Sequence, residues 1–229
     1  MALQEKFDRL AAIRGDTNKG LPESAWKTNL DDQDRDQLLR AAIDATRKLV
    51  LPEWESKRVD DRRPQDALAA AEAWLANKTS ADVLSVAKEA AKACTAARNE
   101  TFGGDHRIPE AARACAWSCG AKDNEHIWEA FSAIEGDLLA RVHLTADYQK
   151  IPEQRRNLLA AIRRVLEPPP AEAPKPTGPQ AYSASGSFAV GDKLTHVKFG
   201  NLEVVTVVGT AIEVKLDDGS IKKLVHKPK

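Results

Sequence analysis

The chain has 229 residues, of which 42% are apolar and 30% charged, and its 34 basic side chains balance its 34 acidic ones. This composition is typical of a soluble globular protein of one or two domains, and it offers no bulk charge to attract nucleic acid. No apolar run approaches the ~18 residues of a membrane-spanning helix, and the opening MALQEKFDRL lacks the apolar core of a secretory signal. We therefore expect a cytoplasmic protein that does not bind a membrane.

The first 50 residues predict three helical segments of unequal strength. Residues 3–13 form a short helix, residues 21–30 a brief helical turn, and residues 31–50 a longer helix that ends at Leu51-Pro52. Four aspartates lie in the first turn of the longer helix: Asp31, Asp32, Asp34 and Asp36. These carboxylates either cap the positive end of the helix or form a docking patch for a basic partner. Capping is the favoured interpretation.

Residues 62–148 contain four alanine-rich amphipathic helices. Each has a residue suited to a helix start, namely Pro64, Ser80, Pro109 and Asp123. The apolar stripe of the fourth helix consists of Ile127, Phe131, Ile134, Leu138 and Val142. Because most inward side chains of the other three are small, helix axes can approach closely. We expect a tightly stacked helical array without a large internal pocket.

The composition changes after a last helix that Pro152 opens. Six of the 20 residues from 168 to 187 are proline, which predicts an extended linker. Beyond it the hydrophobic period changes from 3.6 to 2, and four short strands are predicted at 194–197, 202–208, 211–216 and 221–225. The predicted domains are therefore a helical domain (1–167), a linker (168–187) and a small antiparallel β-barrel (188–229).

Motifs for catalysis and nucleotide binding are absent from the sequence. It has no G-x-G-x-x-G, P-loop, H-E-x-x-H or G-x-S-x-G pattern. His143 and Asp147 lie four residues apart, which fits either an acid–base pair or a hydrogen bond on a helix surface. Surface hydrogen bonding is the favoured explanation, and we expect no enzyme and no cofactor.

The cysteines predict neither a disulfide framework nor a metal site. An odd number of cysteines, three, argues against a disulfide framework. Cys115 and Cys119 share a helix face, where they would either bind a metal together with Cys94 and His126 or His106, or fill an alanine-like core. The paired C-x-x-C spacing of structural zinc sites is missing, so we expect no metal.

The longest break among the helices is NETFGGDHRI, residues 99–108. Loops on rigid scaffolds are common recognition surfaces, although a plain connection with Phe102 in the core is the other interpretation. If this loop binds a partner, the candidate residues are Phe102, Asp105, His106 and Arg107.

The segment from Arg62 to Ala140 combines RRP at 62–64, AAEAWL at 70–75 and the successive alanine-rich helices that follow. In these features it resembles immunity proteins of bacterial polymorphic toxin systems. The resemblance places an immunity-like core at about 62–148. It implies a protein that binds and neutralises a cognate toxin and has no chemistry of its own.

The C-terminal segment contains Gly191-Asp192, His196, Phe199-Gly200, Asp218-Gly219 and Lys223-Leu224. In these residues it is similar to the Tudor-like, SH3-type module that ends UvrD-type helicases. It implies docking onto RNA polymerase or nucleic acid through residues 188–229. Lys198 and Phe199 are the candidate contact residues in this segment.

Taken together, these patterns predict a mainly α protein, with a stacked alanine-rich helical domain joined by a proline-rich linker to a small SH3-like or Tudor-like antiparallel β-barrel. The predicted function is non-enzymatic neutralisation of a cognate protein toxin by direct binding. The alternative is an adaptor that associates with RNA polymerase or nucleic acid through its C-terminal module.

Overall fold

The computed structural model describes residues 2–13, 20–101, 104–167, 180–184 and 188–225. The chain divides into two compact units, Met1–Pro168 and Pro169–Lys229, called here the helical unit and the β unit. The helices are α1 (Leu3–Ala12), α2 (Glu23–Leu30), α3 (Arg35–Ala45), α4 (Leu51–Lys57), α5 (Arg63–Ala76), α6 (Ala81–Asn99), α7 (Arg107–Ser118), α8 (Glu125–Thr145) and α9 (Ile151–Leu166).

Helix α7 lies at the centre of the helical unit, where it packs against α5, α6 and α8. Its inward face is formed largely by small side chains, and the facing residues of α6 are small as well. The buried small residues are Ala87, Ala91, Cys94 and Ala97 on α6, and Ala111, Ala112, Ala114, Cys115 and Ala116 on α7. All five residues of the predicted α8 stripe are buried too, as the helical spacing requires.

Several helices begin where side-chain chemistry predicts. The Ser80 hydroxyl accepts a hydrogen bond from Val83 N at 3.3 Å, and the Asp34 carboxylate accepts one from Gln37 N at 3.0 Å. Both bonds satisfy N–H groups that the first helical turn leaves without a partner. At α8 the carboxylate of Asp123 accepts from Glu125 N at 3.2 Å, although Asn124 occupies the N-cap position.

The prediction that Leu51-Pro52 ends the third helix is wrong. A π-helical turn, Thr46–Val50, follows α3 and leads directly into α4. Within it the Leu51 N–H donates to the Thr46 carbonyl five residues earlier, which widens the helix. Pro52 then lies in the first turn of α4, where its missing N–H costs little. The wide turn thus lets the chain stay helical through a proline.

A buried ion pair joins α8 and α9 to the N-terminal segment. The Glu135 side chain is fully buried, its Oε1 accepts from Arg155 Nε at 2.6 Å, and its Oε2 accepts from Leu21 N at 2.6 Å. Arg155 also donates to the Ile13 carbonyl. Since both carboxylate oxygens are bonded, this pair satisfies the requirement for keeping a charge inside a core.

The β unit is a sheet with strand order β1-β2-β3-β4-β5. Its strands are β1 (Gln180–Ala181), β2 (Lys193–His196), β3 (Gly200–Val208), β4 (Ala211–Leu216) and β5 (Ile221–Val225). β2 to β5 pair antiparallel, while β1 was not predicted and pairs parallel to β2. The Tyr182 hydroxyl donates to the Val225 carbonyl at 2.5 Å, which links the end of β1 to the end of β5.

The predicted fold class, a mainly α protein with a small SH3-like antiparallel β module, is confirmed. Most of the predicted linker 168–187 lies outside the described residues, and its described part includes β1. The domain boundaries therefore stay predictions. Within the parts of the chain that the structure describes, no helix combines the length and the apolar character needed to cross a bilayer.

Candidate partner-binding site

Three of the predicted contact residues follow one another at the start of α7. Asp105 and His106 belong to a 3-10 turn, Gly104–His106, and Arg107 is the first residue of α7. All three are half-buried, whereas Phe102 lies outside the described residues. The turn places Asp105 beside α4, a helix about 50 residues earlier in the chain.

Asp105 forms an ion pair across this junction. Its Oδ1 lies 3.0 Å from Lys57 Nζ, and the same ammonium lies 2.8 Å from Glu53 Oε1 on α4. The Lys57 ammonium and Arg141 hold the pKa of Glu53 below its ordinary value. Two carboxylates and one amine thus meet where α4 approaches the turn.

Arg107 packs over α8. It donates to the Gly136 carbonyl, and a Cβ at Gly136 would lie 3.1 Å from its Nε and 3.2 Å from its Cδ. Such contacts are tighter than most Cβ contacts in proteins, so a side chain at position 136 would have to displace the Arg107 side chain by a few tenths of an ångström. The structure therefore gives Arg107 a packing role, which the sequence pattern did not suggest.

A pocket of about 230 Å³ lies beside the Asp105 turn, between α4 and the C-terminal half of α8. We call it the α4–α8 pocket. It is lined by Glu53, Lys57, Asp105, Asp137, Ala140, Arg141, Leu144 and Thr145. Of these residues, sequence analysis had singled out only Asp105. The available signal was a pair of i,i+4 acid–base spacings, Glu53–Lys57 and Asp137–Arg141, which occur on many helix surfaces.

Asp137 is the most buried charged group of this pocket, with a side chain only 4% exposed. Burial raises its pKa to about 6, although the neighbouring Arg141 guanidinium opposes the shift.

Arg141 forms an ion pair with Asp137. Its Nη1 and Nη2 also approach the Leu49 and Val50 carbonyls at 3.5 and 3.3 Å, at the end of the π-helical turn. Arg141 therefore joins α8 to the irregular turn before α4.

Two large apolar side chains are exposed at the C-terminal end of α8 and just beyond it. Leu144, which lines the pocket, is 82% exposed, and Tyr148, four residues later, is 55% exposed. The Tyr148 ring contacts the His143 ring edge-on, with centroids 5.1 Å apart. Asp147, which the sequence analysis considered as the partner of His143 in an acid–base pair, forms an ion pair with Lys150. Its Oδ2 lies 2.9 Å from Lys150 Nζ. An exposed leucine and tyrosine beside buried charges resemble the anchor-rich composition of protein interfaces.

The β unit carries the other two predicted contact residues. Lys198 Nζ lies 5.8 Å from the centre of the Phe199 ring, and His196 stacks on Phe199 with centroids 4.7 Å apart. Tyr182 continues the row at 5.1 Å from His196. The sequence analysis missed Tyr182, because it precedes the strands with clear alternation and was assigned to the linker.

The three cysteines belong to the hydrophobic core of the helical unit. All three are buried free thiols, and burial raises the pKa of each to about 12. Cys94 donates to the Arg63 carbonyl at 3.2 Å, and Cys119 to the Cys115 carbonyl at 3.7 Å. In the described part of the chain, no group of three or more His, Cys, Asp or Glu residues is arranged to hold a metal ion.

The aspartate run at 31–36 is largely engaged within the helical unit. Asp32 pairs with Lys6, Asp36 pairs with Lys78, and Asp34 caps α3. Asp31 accepts a long hydrogen bond from Asn124 at 3.4 Å. Capping therefore accounts for Asp34 alone, whereas Asp32 and Asp36 form ion pairs with lysines of the same unit.

One protein-family model matches part of the helical unit. Residues 28–132 match the model described as Imm-5 like putative immunity protein. The match begins before the expected core at 62–148 and spans slightly less than half of the chain. Neither the search of curated proteins nor that of solved structures returned a match. The family match supports an immunity-protein relationship for the helical unit, and it ends before the β unit.

Proposed function

We propose that this protein neutralises a cognate protein toxin by binding it directly, without catalysis. The family match over residues 28–132 is the observation that carries the proposal. That segment contains α4 and the 104–107 turn, which form one side of the α4–α8 pocket. The toxin would bind over this pocket and the exposed side chains beside it.

Burial and exposure around the pocket support this choice of surface. Leu144 and Tyr148 present apolar area to solvent, while Asp137, which pairs with Arg141, is almost fully buried. A few tyrosine, arginine and apolar anchors usually supply most of the binding energy of an interface. We therefore assign Leu144 and Tyr148 as anchors, with Asp105 and His106 on the adjacent turn.

Co-expression with the product of the adjacent gene tests the proposal. The full chain should form a stoichiometric complex with that protein and protect cells that express it. Leu144→Asp should weaken the complex by about 2 kcal/mol or more, roughly thirty-fold in Kd. Val86→Asp is the matched control, because Val86 is also exposed, at 59%, but lies on α6 outside the pocket. Equal loss in both variants would contradict the assigned surface.

A second candidate function is an adaptor that acts through the β unit. The row of Tyr182, His196 and Phe199, with Lys198 beside it, favours this function because such side chains stack on bases and contact phosphates. DNA retention that falls steeply with salt and is lost in Phe199→Ala would support it. Capture of RNA polymerase by the β unit alone would support the docking role that the UvrD-type resemblance implies.

A further inference from the structure

We propose that the outer edge of β5 accepts an extended acidic segment of a partner protein as an added strand. This inference goes beyond toxin neutralisation and does not rest on it, because the family match ends at residue 132, before the β unit. Three observations support it: the main-chain groups that β5 leaves open, the exposed side chains on one of its faces, and the positive charge at this end of the chain.

β5 lies at one edge of the sheet, where it pairs with β4 alone among the described strands. The register and the bond from Leu216 N to the Ser220 carbonyl, at 2.9 Å, fix which main-chain groups of β5 face β4. Since these groups alternate along an antiparallel pair, every second residue after Ser220 bonds to β4 and the residues between them face outward. The outward residues are Ile221, Lys223 and Val225.

One of these outward groups already has a partner outside β4. The Val225 carbonyl accepts a hydrogen bond from the Tyr182 hydroxyl at 2.5 Å. The N–H and C=O groups of Ile221 and Lys223 have no main-chain partner within the described residues. An exposed row of such groups is a template for pairing with another chain. A short extended segment can therefore form a ladder with Ile221 and Lys223.

The outward residues also place their side chains on one face of the sheet, because alternate residues of a strand point the same way. Ile221 is 62% exposed and Val225 is 56% exposed, with exposed Lys223 between them. Beside Val225 in the register lie Ala211 of β4 and Val208 of β3, and Val208 is 68% exposed. An added strand would thus meet an apolar–basic–apolar row and would cover exposed apolar side chains.

The charge of this edge favours an acidic segment. Neither Lys222 nor Lys223 forms an ion pair within the described residues, although Glu213 lies opposite Lys223 in the register. The sequence from Ile221 to Lys229 contains four lysines and no aspartate or glutamate. Opposite charges on neighbouring strands stabilise a sheet, so a carboxylate facing Lys223 would strengthen the pairing.

Two other occupants fit this edge less well. A second copy paired antiparallel over the whole strand would place Lys223 opposite Lys223, and like charges directly opposite each other are destabilising. A nucleic acid would neutralise the lysines but leave Ile221 and Val225 exposed. An acidic protein segment satisfies the lysines, the apolar side chains and the main-chain groups together.

An NMR titration of the full-length protein with the synthetic peptide acetyl-SVTETVS-amide tests the proposed edge. The glutamate of this peptide lies opposite Lys223 in either strand direction when its valines lie opposite Ile221 and Val225. We expect saturable amide shifts centred on β5. The lysine analogue acetyl-SVTKTVS-amide should bind about fivefold more weakly, because it places like charges opposite each other. The glutamate peptide with all its central amides N-methylated should not bind, because it lacks the main-chain donors.

A charge reversal on the protein gives the complementary test. Lys223→Glu should weaken the glutamate peptide about fivefold and strengthen the lysine peptide by a similar factor. Lys193→Glu is the matched control, because it makes the same charge change at an exposed position on β2 and should leave both affinities unchanged. If Lys223→Glu unfolds the β unit, Lys223→Gln decides in its place, with a smaller loss for the glutamate peptide.

Several outcomes would overturn the proposal. Linear shifts, equal affinity for the glutamate and lysine peptides, or undiminished binding of the N-methylated peptide would each do so. Concentration-dependent shifts at β5 without peptide would assign the edge to a second copy instead. Displacement of the glutamate peptide by single-stranded DNA that shifts the same amides would assign it to nucleic acid. None of these results bears on toxin neutralisation, which the complex with the adjacent gene's product tests separately.

Discussion

The two units obtain their stability differently. The helical unit buries a large continuous core together with a fully bonded ion pair, Glu135–Arg155. Among the described residues, the core of the β unit consists of six buried side chains: Phe188, Leu194, Leu202, Val204, Ile212 and Val214. Since hydrophobic stabilisation scales with buried apolar area, the helical unit should be much the more stable of the two.

The two units also differ in the number of large apolar side chains that they expose. Five of the nine large apolar side chains exposed in the described residues belong to the smaller β unit, namely Val190, Val197, Val208, Ile221 and Val225. In the helical unit two of the other four, Leu144 and Tyr148, lie four residues apart around the C-terminal end of α8, and Leu144 lines the α4–α8 pocket. Exposed large apolar side chains are therefore more numerous in the smaller β unit than in the helical unit.

Truncation of Phe131 should affect the helical unit most strongly. Phe131 is fully buried, and its ring lies 5.2 Å from Trp26 and 6.1 Å from Trp128. Phe131→Ala should reduce the free energy of unfolding by ~3–5 kcal/mol through lost contacts and a residual cavity. Calorimetry should show the helical transition moved down and the β transition unchanged. A common shift of both transitions would contradict independent stability of the units.

Loss of the buried ion pair should have a somewhat smaller effect. Glu135→Gln retains an acceptor for Leu21 N but leaves the Arg155 charge unpaired in the core, at a cost of ~3 kcal/mol. Chemical denaturation measures this change. Glu89→Gln, which disrupts only the exposed pair with Lys92, should stay within ~0.5 kcal/mol.

A backbone substitution should destabilise the β unit alone. Gly209 has φ +57° in the turn between β3 and β4, and an added Cβ would meet no atom within 4 Å. Gly209→Ala should therefore cost ~1–2 kcal/mol from the left-handed backbone conformation rather than from a clash. Thr210→Ala is the control in the same turn. A change confined to the lower calorimetric transition would support the comparison of the units.

The smallest effect should come from a helix cap. Ser80→Ala removes the acceptor for Val83 N and should lower the stability of the helical unit by ~1 kcal/mol. Ser80→Asp should recover most of this loss, because aspartate also accepts the bond and favours the positive helix end. Failure of aspartate to rescue stability would indicate that the hydroxyl acts through another contact.

Local sequence was sufficient for most of the elements. The stripe from Ile127 to Val142, the Ser80 cap and the glycine turns of the sheet each depend on residues within a few positions of one another. Local patterns were insufficient at Pro52, because the π-helical turn before it is bridged by Arg141 from α8. They were insufficient at β1 too, because a two-residue strand depends on its partner β2.

At the candidate site, too, the sequence determined some features and the tertiary structure determined the others. The sequence by itself indicated a break in the helices that includes Asp105 and His106, and it set Glu53 and Lys57, and Asp137 and Arg141, four residues apart. Only the tertiary structure decided that these two pairs face Asp105 across one pocket, that Asp137 is buried there, and that Arg107 instead packs on Gly136. The physical reason is that helical spacing is set by neighbours in the chain, whereas burial and pKa depend on helices that lie 30 to 90 residues apart in sequence.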